Sequence, residues 1–306
     1  MIRWSFLILV FSLLLIACNK EEVFNPNKKI QYVLLQGTSS MDTSMAFIYE
    51  NGSISEILYK QLGKDFSISL NKNGTIDKIT SNVNDEYILL TYDGTYLNNM
   101  EFYQGNQLTK KILIGRKDKN NKINRLSYYL MENKQSKSVF DNVFFPSSDQ
   151  LIVTKENLHK STSTLVMVRN ITYENDNISR EKVIDYDGQD SIIRYSASFT
   201  YDDKKNPFYG LAYPIMDLSG YSKNNILTAY YTFDNGYERY DRAYFSQKHD
   251  YEYKNKYPSS HNMVEYGTYS DKVSIYDENT QTYHDSICVR YEGITDKVVE
   301  YFYYCK

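Results

Sequence analysis

Proline, tryptophan and histidine are scarce in this chain, which has 5 Pro, one Trp and four His among 306 residues. The histidines form neither a His-x-His nor a His-Glu-x-x-His pattern, so the sequence does not support a zinc or other metal site. The Gly-x-Ser-x-Gly turn of hydrolases and the glycine-rich loop that binds phosphates are also missing. We therefore predict a protein that is not an enzyme and requires no cofactor. A hydrolase whose two acids lie far apart in sequence stays as the minority alternative.

The chain has no excess of positive charge. Its 35 Lys and Arg residues are outnumbered by 38 Asp and Glu residues, which gives a net charge of −3. Nucleic acids bind to a clustered basic face, and anionic lipids attract polybasic segments. The weak acidity therefore argues against nucleic acid as a partner and against electrostatic binding to anionic lipid.

Cysteine is also rare, with three residues in the chain. Apart from Cys18, the chain has Cys288 and Cys305, which could pair in an oxidising compartment. If the two faced each other in a hairpin, its centre would fall near residue 296 or 297, slightly after the centre of the turn signal at residues 292–296 (EGITD). A disulfide and two separate reduced thiols both stay open at this stage.

One long apolar run stands at the N-terminus. Arg3 precedes a stretch from Trp4 to Ile16 that is interrupted only by serines, and the small Ala17 then precedes Cys18. This layout is typical of a secretory signal peptide over residues 1–17, and the run is short for a membrane span. Residues 15–18 (LIAC) resemble a bacterial lipobox, which implies cleavage before Cys18 and attachment of lipid to it. An ordinary signal peptide with an accidental cysteine is the alternative.

Lys20, Glu21 and Glu22 follow the cysteine as a short charged run. This run resembles the export signal that some Gram-negative bacteria use to place lipoproteins on the outer face of the outer membrane. The resemblance implies an outer-membrane lipoprotein facing the cell exterior, held in the membrane lipid through Cys18, with residues 18–30 as a tether. A periplasm-facing anchor is the alternative, because any solvated tether is polar.

Tyrosine is abundant, at 32 of 306 residues. Alternating apolar and aromatic runs repeatedly end in turns rich in Asn, Asp and Gly, which accept the positive φ of tight hairpins. The copies are at residues 47–54, 68–76, 90–96, 102–108, 184–188, 199–203 and 231–236, with weaker copies at 251–255 and 274–279. We predict an all-β fold of serial antiparallel hairpins that form an extended or curved, tyrosine-rich sheet with few helices. It spans residues 31–306, as one unit or as two lobes divided near residues 131–160.

The hairpin phrase resembles the tyrosine-aspartate (YD) repeat of Rhs-type wrapping proteins. More closely, residues 199–208 (FTYDDKKNPF) and 222–226 (SKNNI) resemble a group of Gram-negative surface lipoproteins of unknown function. The irregular lengths of the copies argue against a closed Rhs shell. The resemblance to the lipoprotein group implies a porphyrin or haem as one ligand class.

Aromatic and histidine side chains are the best candidates for ligand contacts. Rings on a sheet can stack on a sugar or a planar macrocycle, and haem iron takes His, Tyr or Met as a ligand. The candidate residues are Tyr209, Tyr213, Tyr230, Tyr240, His261, Met263, Tyr283 and His284. For any single tyrosine, a cross-strand aromatic pair that only stabilises the sheet is the simpler interpretation.

These patterns favour a non-catalytic binding protein for a small nutrient-type ligand, a porphyrin or a glycan, which an outer-membrane transporter could receive. A structural or adhesive surface protein that binds another protein is the alternative. The sequence leaves the oligomeric state undetermined.

The charged run after Cys18 generates a test of cellular location. We expect deletion of Lys20, Glu21 and Glu22 to retain the protein inside the envelope, because the export signal would be missing. Protease treatment of whole cells measures this, with substitution of Asn25 and Asn27 by serine as the control change in the same tether. Equal proteolysis of the deletion variant and the parent would refute the export signal.

Overall fold

The structure is a computed structural model that describes residues 29–36, 41–60, 63–94, 96–116, 122–131, 140, 163–209, 220–233, 242–254, 256–277 and 282–303. Strands dominate these ranges, and the helices among them are too short to cross a lipid bilayer. The sixteen described strands are β1 Ile30–Gln36, β2 Met41–Glu50, β3 Ser53–Tyr59, β4 Lys64–Leu70, β5 Ile76–Ser81, β6 Glu86–Asp93, β7 Tyr96–Gln104, β8 Gln107–Arg116, β9 Ile123–Met131, β10 Ser163–Glu174, β11 Asn177–Asp187, β12 Asp190–Lys205, β13 Asn224–Phe233, β14 Arg242–Lys254, β15 Tyr257–Asp277 and β16 Thr282–Tyr303.

Each strand pairs antiparallel with the next along the chain, so the predicted all-β fold of serial hairpins is confirmed. The sheet also closes on itself, since Ile30 and Val33 of β1 pair with Tyr303 and Tyr301 of β16. Closure goes beyond the expected extended sheet. Its physical reason is that the first and last strands would otherwise present unpaired backbone groups to water and to other chains.

The predicted Asn-Gly and Asp-Gly turns lie between strands. Asn51 and Gly52 have φ angles of 48° and 88°, and Gly188 has a φ of 64°. These positive values give the turn a twist that matches the flanking strands. One turn lacked a sequence signal of this kind: Asn175 and Asp176 adopt φ angles of 50° and 66° without a glycine.

Two predicted turns are wrong. Residues 199–203 lie inside β12, where the register shifts between Tyr201 and Lys205. Residues 292–296 lie inside β16, and an extra residue, Thr295, sits between the partners of Val264 and Glu265. In both places the turn-forming residues make a bulge, which bends a strand without ending it.

The continuous course of β16 bears on the two later cysteines. Cys288 pairs with Asp271, and the strand continues to Tyr303. The predicted hairpin centred near residue 296 is therefore not formed, because β16 runs through residues 292–296 without turning. Whether Cys288 and Cys305 form a disulfide stays a prediction. Cys305 itself lies outside the described residues.

Alternation of side chains places an apolar face inside the barrel. Phe47, Ile57 and Phe66 are direct neighbours on β2, β3 and β4, and all three are buried. The opposite face carries polar residues, with Ser67 on β4 and Lys78 on β5 among them. Over the described side chains, the barrel therefore turns its apolar face inward and its polar face to the solvent.

Phe140 also belongs to this core. Its ring stacks on Phe66 at 5.1 Å and meets Phe102 edge-on at 6.0 Å, and 1% of its surface is exposed. It comes from the connection between β9 and β10, whose ends Met131 and Ser163 pair directly. The connection near residues 131–160 therefore joins two neighbouring strands of one sheet and does not divide the chain into two lobes.

The two ends of the barrel differ in what they carry. We call the end where β1 begins and β16 stops the terminal end; it also carries the turns at residues 51–52 and 175–176 and the connection from Asn206 to Lys223. The opposite end carries the turn at residues 188–189 and the connection from β9 to β10. A chain that enters at Ile30 therefore reaches the barrel at the terminal end.

The position of Phe140 predicts a large loss of stability on truncation. We expect Phe140→Ala to lower the free energy of unfolding by about 3–5 kcal/mol, because it empties space between two buried rings. Urea unfolding of the form that begins at Asn19 measures this. The control is Leu113→Ala on the outer face, where the side chain is 39% exposed and we expect less than about 1 kcal/mol. Equal losses in the two variants would contradict the packing of Phe140.

Candidate functional site

Two acidic residues with a valine between them line the inner face of β11. Glu181, Val183 and Asp185 alternate along the strand, so they share one face of the sheet. Their partners across the ladder in β10 are Ile171 and Met167, opposite Glu181 and Asp185 respectively, and both partners are buried. Two carboxylates therefore lie on the core side of the barrel wall, beside buried apolar side chains of β10.

A bulge in β12 supplies two side chains to the same face. Val183 pairs with Tyr195 and Ile184 pairs with Ile193, so Arg194 has no partner position of its own on β11. In a regular strand, Arg194 and Tyr195 would point to opposite faces. Because of the bulge, both reach carboxylates that share one face of β11, Arg194 reaching Asp185 and Tyr195 reaching Glu181.

The deeper carboxylate is fully paired. Arg169 donates from Nε to Oε1 of Glu181 at 2.5 Å, and the two side chains are 7% and 5% exposed. The Tyr195 hydroxyl donates to Oε2 of Glu181 at 3.2 Å. Both oxygens of Glu181 therefore accept a hydrogen bond, as a buried carboxylate requires.

The second ion pair, between Arg194 and Asp185, is incompletely bonded; we call it the interior pair. Arg194 donates from Nε to Oδ2 of Asp185 at 2.7 Å, and the side chains are 8% and 30% exposed. Among the described residues, Nη2 of Arg194 and Oδ1 of Asp185 are buried and have no hydrogen-bond partner. Burial raises the pKa of Asp185 despite the opposing effect of Arg194. The partial exposure of Asp185 shows that solvent reaches one side of the pair.

Aromatic rings border the interior pair; we call them the ring wall. The ring of Tyr195 meets Tyr231 at 5.8 Å and Phe233 at 5.5 Å, and Phe199 meets Tyr231 at 6.1 Å. Each of these side chains is only partly buried. Within the described part of the chain, a donor and an acceptor without partners lie on the same face as partly accessible rings. Such groups are components of a small-molecule binding site.

A second group lies on β14. His249 and Tyr251 stack at 6.1 Å with their planes 15° apart. Burial lowers the pKa of His249, and burial with the nearby Asp202 carboxylate raises the pKa of Tyr251. In the ladder with β15, Tyr251 pairs with His261 and His249 pairs with Met263. The candidate residues His261 and Met263 therefore occupy positions beside a histidine and a tyrosine that are not among the predicted ligand residues.

The residues that carry the family resemblance meet at the terminal end, where they hold neighbouring segments together. Asn206 donates from Nδ2 to the carbonyl of Ser222 at 2.8 Å. Asn177 and Asn224 exchange two hydrogen bonds of 3.0 and 2.9 Å across β11 and β13. The amide side chains thus replace the backbone bonds that are lost where the connection from β12 to β13 leaves the sheet.

Asp202 is the other centre of this terminal-end network. Its carboxylate accepts hydrogen bonds from the backbone amides of Lys204 and Asn225, from the Asn225 side chain and from the Tyr253 hydroxyl. Tyr201, next to it, donates to the Ile178 carbonyl at 2.7 Å and lies 3.0 Å from the Ser222 hydroxyl. These bonds give Tyr201, Asp202, Asn206 and Asn225 a structural role.

The candidate ligand residues do not converge. Tyr209 is half-buried next to Asn206 at the terminal end, and Tyr230 is 46% exposed on the outer face. His261 and Met263 lie near the terminal end of β15, whereas Tyr283 and His284 pair with Tyr276 and Ile275 near the opposite end. The fourteen residue steps from His261 to Ile275 span about 46 Å of strand, so His261 and His284 cannot bind one ligand together.

The remaining predicted residues are not placed. Tyr213, Tyr240, Cys18, Lys20, Glu21, Glu22 and Cys305 lie outside the described residues. Within the described part of the chain, no group of three or more His, Cys, Asp and Glu side chains is arranged to hold a metal ion.

The interior pair and its neighbours are not evident from the sequence. Asp185 precedes an Asp-Gly turn, so its carboxylate is explained by the hairpin pattern alone. Arg194 lies in the following strand, where the sequence does not clearly indicate a bulge. A weak signal was present: residues 190–195 (DSIIRY) break the alternation of apolar and polar positions by one residue. That break is what a bulge produces.

No family model matches this chain, and no curated protein matches it. Among solved structures, the chain is similar to a porin-like protein from Bacteroides vulgatus, with a TM-score of 0.47 and 8% sequence identity, over 91% of this chain and 99% of that chain.

The terminal-end network predicts a loss of stability in alkali. Burial raises the pKa of Tyr201 to about 12, whereas an unfolded tyrosine ionises near pH 10. Above pH 10 the unfolded chain releases this proton and the folded chain keeps it, so stability falls as the pH rises towards 12. We expect Tyr201 to account for about 1 kcal/mol of the loss between pH 8 and pH 11.

Tyr201→Phe tests this in urea unfolding at both pH values. The variant loses two hydrogen-bond contacts at either pH, so the difference between the two pH values isolates the ionisation. We expect that difference to shrink by about 1 kcal/mol in the variant. An unchanged difference would show that Tyr201 ionises freely in the folded protein.

Proposed function

We propose that this protein is a lipid-anchored, non-catalytic binding protein on the outer face of the outer membrane, and that its barrel binds a small nutrient-type ligand, a porphyrin or a glycan. The observation that carries the proposal is the interior pair, whose buried Nη2 and Oδ1 atoms have no hydrogen-bond partner among the described residues. Delivery of the ligand to an outer-membrane transporter would be the next step.

A ligand explains the unused polar atoms of the interior pair. More than nine-tenths of buried polar groups in folded proteins have a hydrogen-bond partner, and each one without a partner destabilises the fold by about 1–3 kcal/mol. Arg194 is 8% exposed and is brought inward by a bulge, which is itself an irregularity of the strand. A loss of stability from unpaired buried groups and an irregular strand is expected at a functional site that binds a ligand.

The position of the interior pair fits a tethered protein. Asp185 lies two residues before the end of β11, towards the opposite end of the barrel. The chain that would lead back to Cys18 enters at Ile30, at the terminal end. An anchor at Cys18 would therefore leave the interior pair on the side away from the membrane, where a ligand can approach.

The outer surface supports an anchor in place of insertion into the bilayer. A barrel that faces lipid carries a band of apolar residues about 25 Å tall on its outer side. Here, the large apolar side chains exposed among the described residues are scattered, as with Val83 at 62% and Leu113 at 39%. Ser67, Lys78 and Glu101 lie on the outer face between them. This described part of the outer surface is suited to water.

Adhesion to another protein is the second candidate function. Tyr87 and Tyr103 stack at 4.9 Å on the outer face, with the Lys78 ammonium 3.9 Å from the Tyr87 ring, and such rings are common at protein interfaces. Closure of the sheet disfavours this function, because each described strand has two neighbours and none offers a free edge for strand addition.

The proposal is tested by titrating the form that begins at Asn19, which keeps all sixteen described strands, with haemin, iron-free porphyrin and a glycan array. We expect saturable binding of one ligand class. The double variant Arg194→Met with Asp185→Leu should lose at least tenfold in affinity, which is about 1.4 kcal/mol.

The double variant is chosen because replacing both partners of a buried ion pair by apolar residues is often tolerated by the fold. The matched control is Arg180→Met, which removes an exposed arginine from the outer face of β11. No detectable binding of any of the three ligand sets, or equal affinity in the double variant and the parent, would contradict the proposal and favour the adhesive function.

A further inference from the structure

The charges around the interior pair are balanced. Arg194 is paired with Asp185 at 2.7 Å, and Arg169 is paired with Glu181 at 2.5 Å. The cluster therefore has two positive and two negative groups and no formal net charge. A ligand that enters it meets neither a net cation nor a net anion, although it lies beside four charged side chains.

This balance disfavours charged ligands. A carboxylate that approached Nη2 of Arg194 would also approach the Asp185 carboxylate, which already accepts from the same guanidinium. A ligand cation near Asp185 would meet the guanidinium in the same way. Like charges at such distances repel strongly when solvent is limited, and a charged ligand would also lose its hydration.

A ligand that satisfies the interior pair must supply one hydrogen-bond acceptor and one donor. Nη2 of Arg194 is a donor, and Oδ1 of Asp185 is an acceptor. A hydroxyl group can donate and accept, so two neighbouring hydroxyls on one ligand satisfy both atoms. The ring wall beside them, with Tyr195 and Tyr231, offers π faces on which an apolar patch of C–H groups can pack.

We propose that the interior pair and the ring wall bind a neutral sugar. One sugar hydroxyl donates to Oδ1 of Asp185, a neighbouring hydroxyl accepts from Nη2 of Arg194, and the apolar face of the sugar ring packs on Tyr195 or Tyr231. The inference rests on the proposed binding function and narrows its ligand from a porphyrin or a glycan to an uncharged glycan.

The test compares neutral and acidic forms of the same sugars. By isothermal titration calorimetry of the Asn19 form, we expect neutral hexose oligosaccharides to bind at least tenfold more tightly than their uronic acid counterparts and than haemin. Raising the salt concentration from 50 to 500 mM should change the neutral affinity by less than about twofold, because no net charge is neutralised on binding.

Asp185→Asn tests the charge balance through the ratio of affinities for neutral and acidic sugar. A purely structural role of Asp185 would leave this ratio unchanged. The amide can still accept a hydrogen bond, but the cluster gains one net positive charge. We therefore expect the preference for neutral over acidic sugar to fall by at least tenfold. Asp187→Asn, at an exposed position two residues further along, is the matched control and should keep the parent's preference. Thermal unfolding of each variant confirms that it is folded.

The outcomes separate this inference from the broader proposal. Tighter binding of haemin or of an acidic sugar by the parent, or an unchanged preference in Asp185→Asn, would overturn the sugar assignment while leaving a ligand-binding protein. Absence of binding to every ligand would overturn both. Both are supported if the parent prefers neutral sugar and Asp185→Asn shifts that preference towards acidic sugar.

Discussion

The pairing of β1 with β16 is the constraint on which the rest of the structure depends. It joins the two ends of a sheet whose other strands each pair only with their neighbours along the chain. Once the sheet is closed, one face of each strand lies inside the barrel and the other lies outside. The alternation of side chains along a strand then decides which of them are buried. The apolar ladders from Phe47 to Phe66 then become a core, and the connection that carries Phe140 can pack inside it.

The interior changes character around the barrel. From β2 to β9 the described inner face is mostly apolar, with Ser81, Glu86 and Lys110 as buried polar exceptions. From β10 to β13 it carries two ion pairs and the ring wall. The terminal-end network holds this second region together, since Asn177, Asp202 and Asn224 connect β11, β12 and β13 through side chains. These amide and carboxylate bonds join the three strands at the terminal end, whereas the interior pair lies nearer the opposite end.

Sequence patterns predicted the strand-turn-strand architecture because Asn-Gly and Asp-Gly pairs have a local conformational reason to turn. They did not predict closure, which depends on two segments more than 250 residues apart, Ile30 and Tyr303. Nor did they separate turns from bulges at residues 199–203 and 292–296, since both use the same residue types. The interior pair was missed for the same reason: which face Arg194 occupies depends on the register with β11 and not on its immediate neighbours.

The bulge at Arg194 makes the interior pair depend on residue count as well as on residue type. Deleting Arg194, the one residue between Ile193 and Tyr195, would restore strict alternation along β12 and remove the guanidinium. The strand would still pair with β11 and β13. A three-nucleotide deletion could therefore abolish the site in a single mutational step while the barrel stays closed. Related chains could gain or lose this site through changes in strand length, with the surrounding residues unchanged.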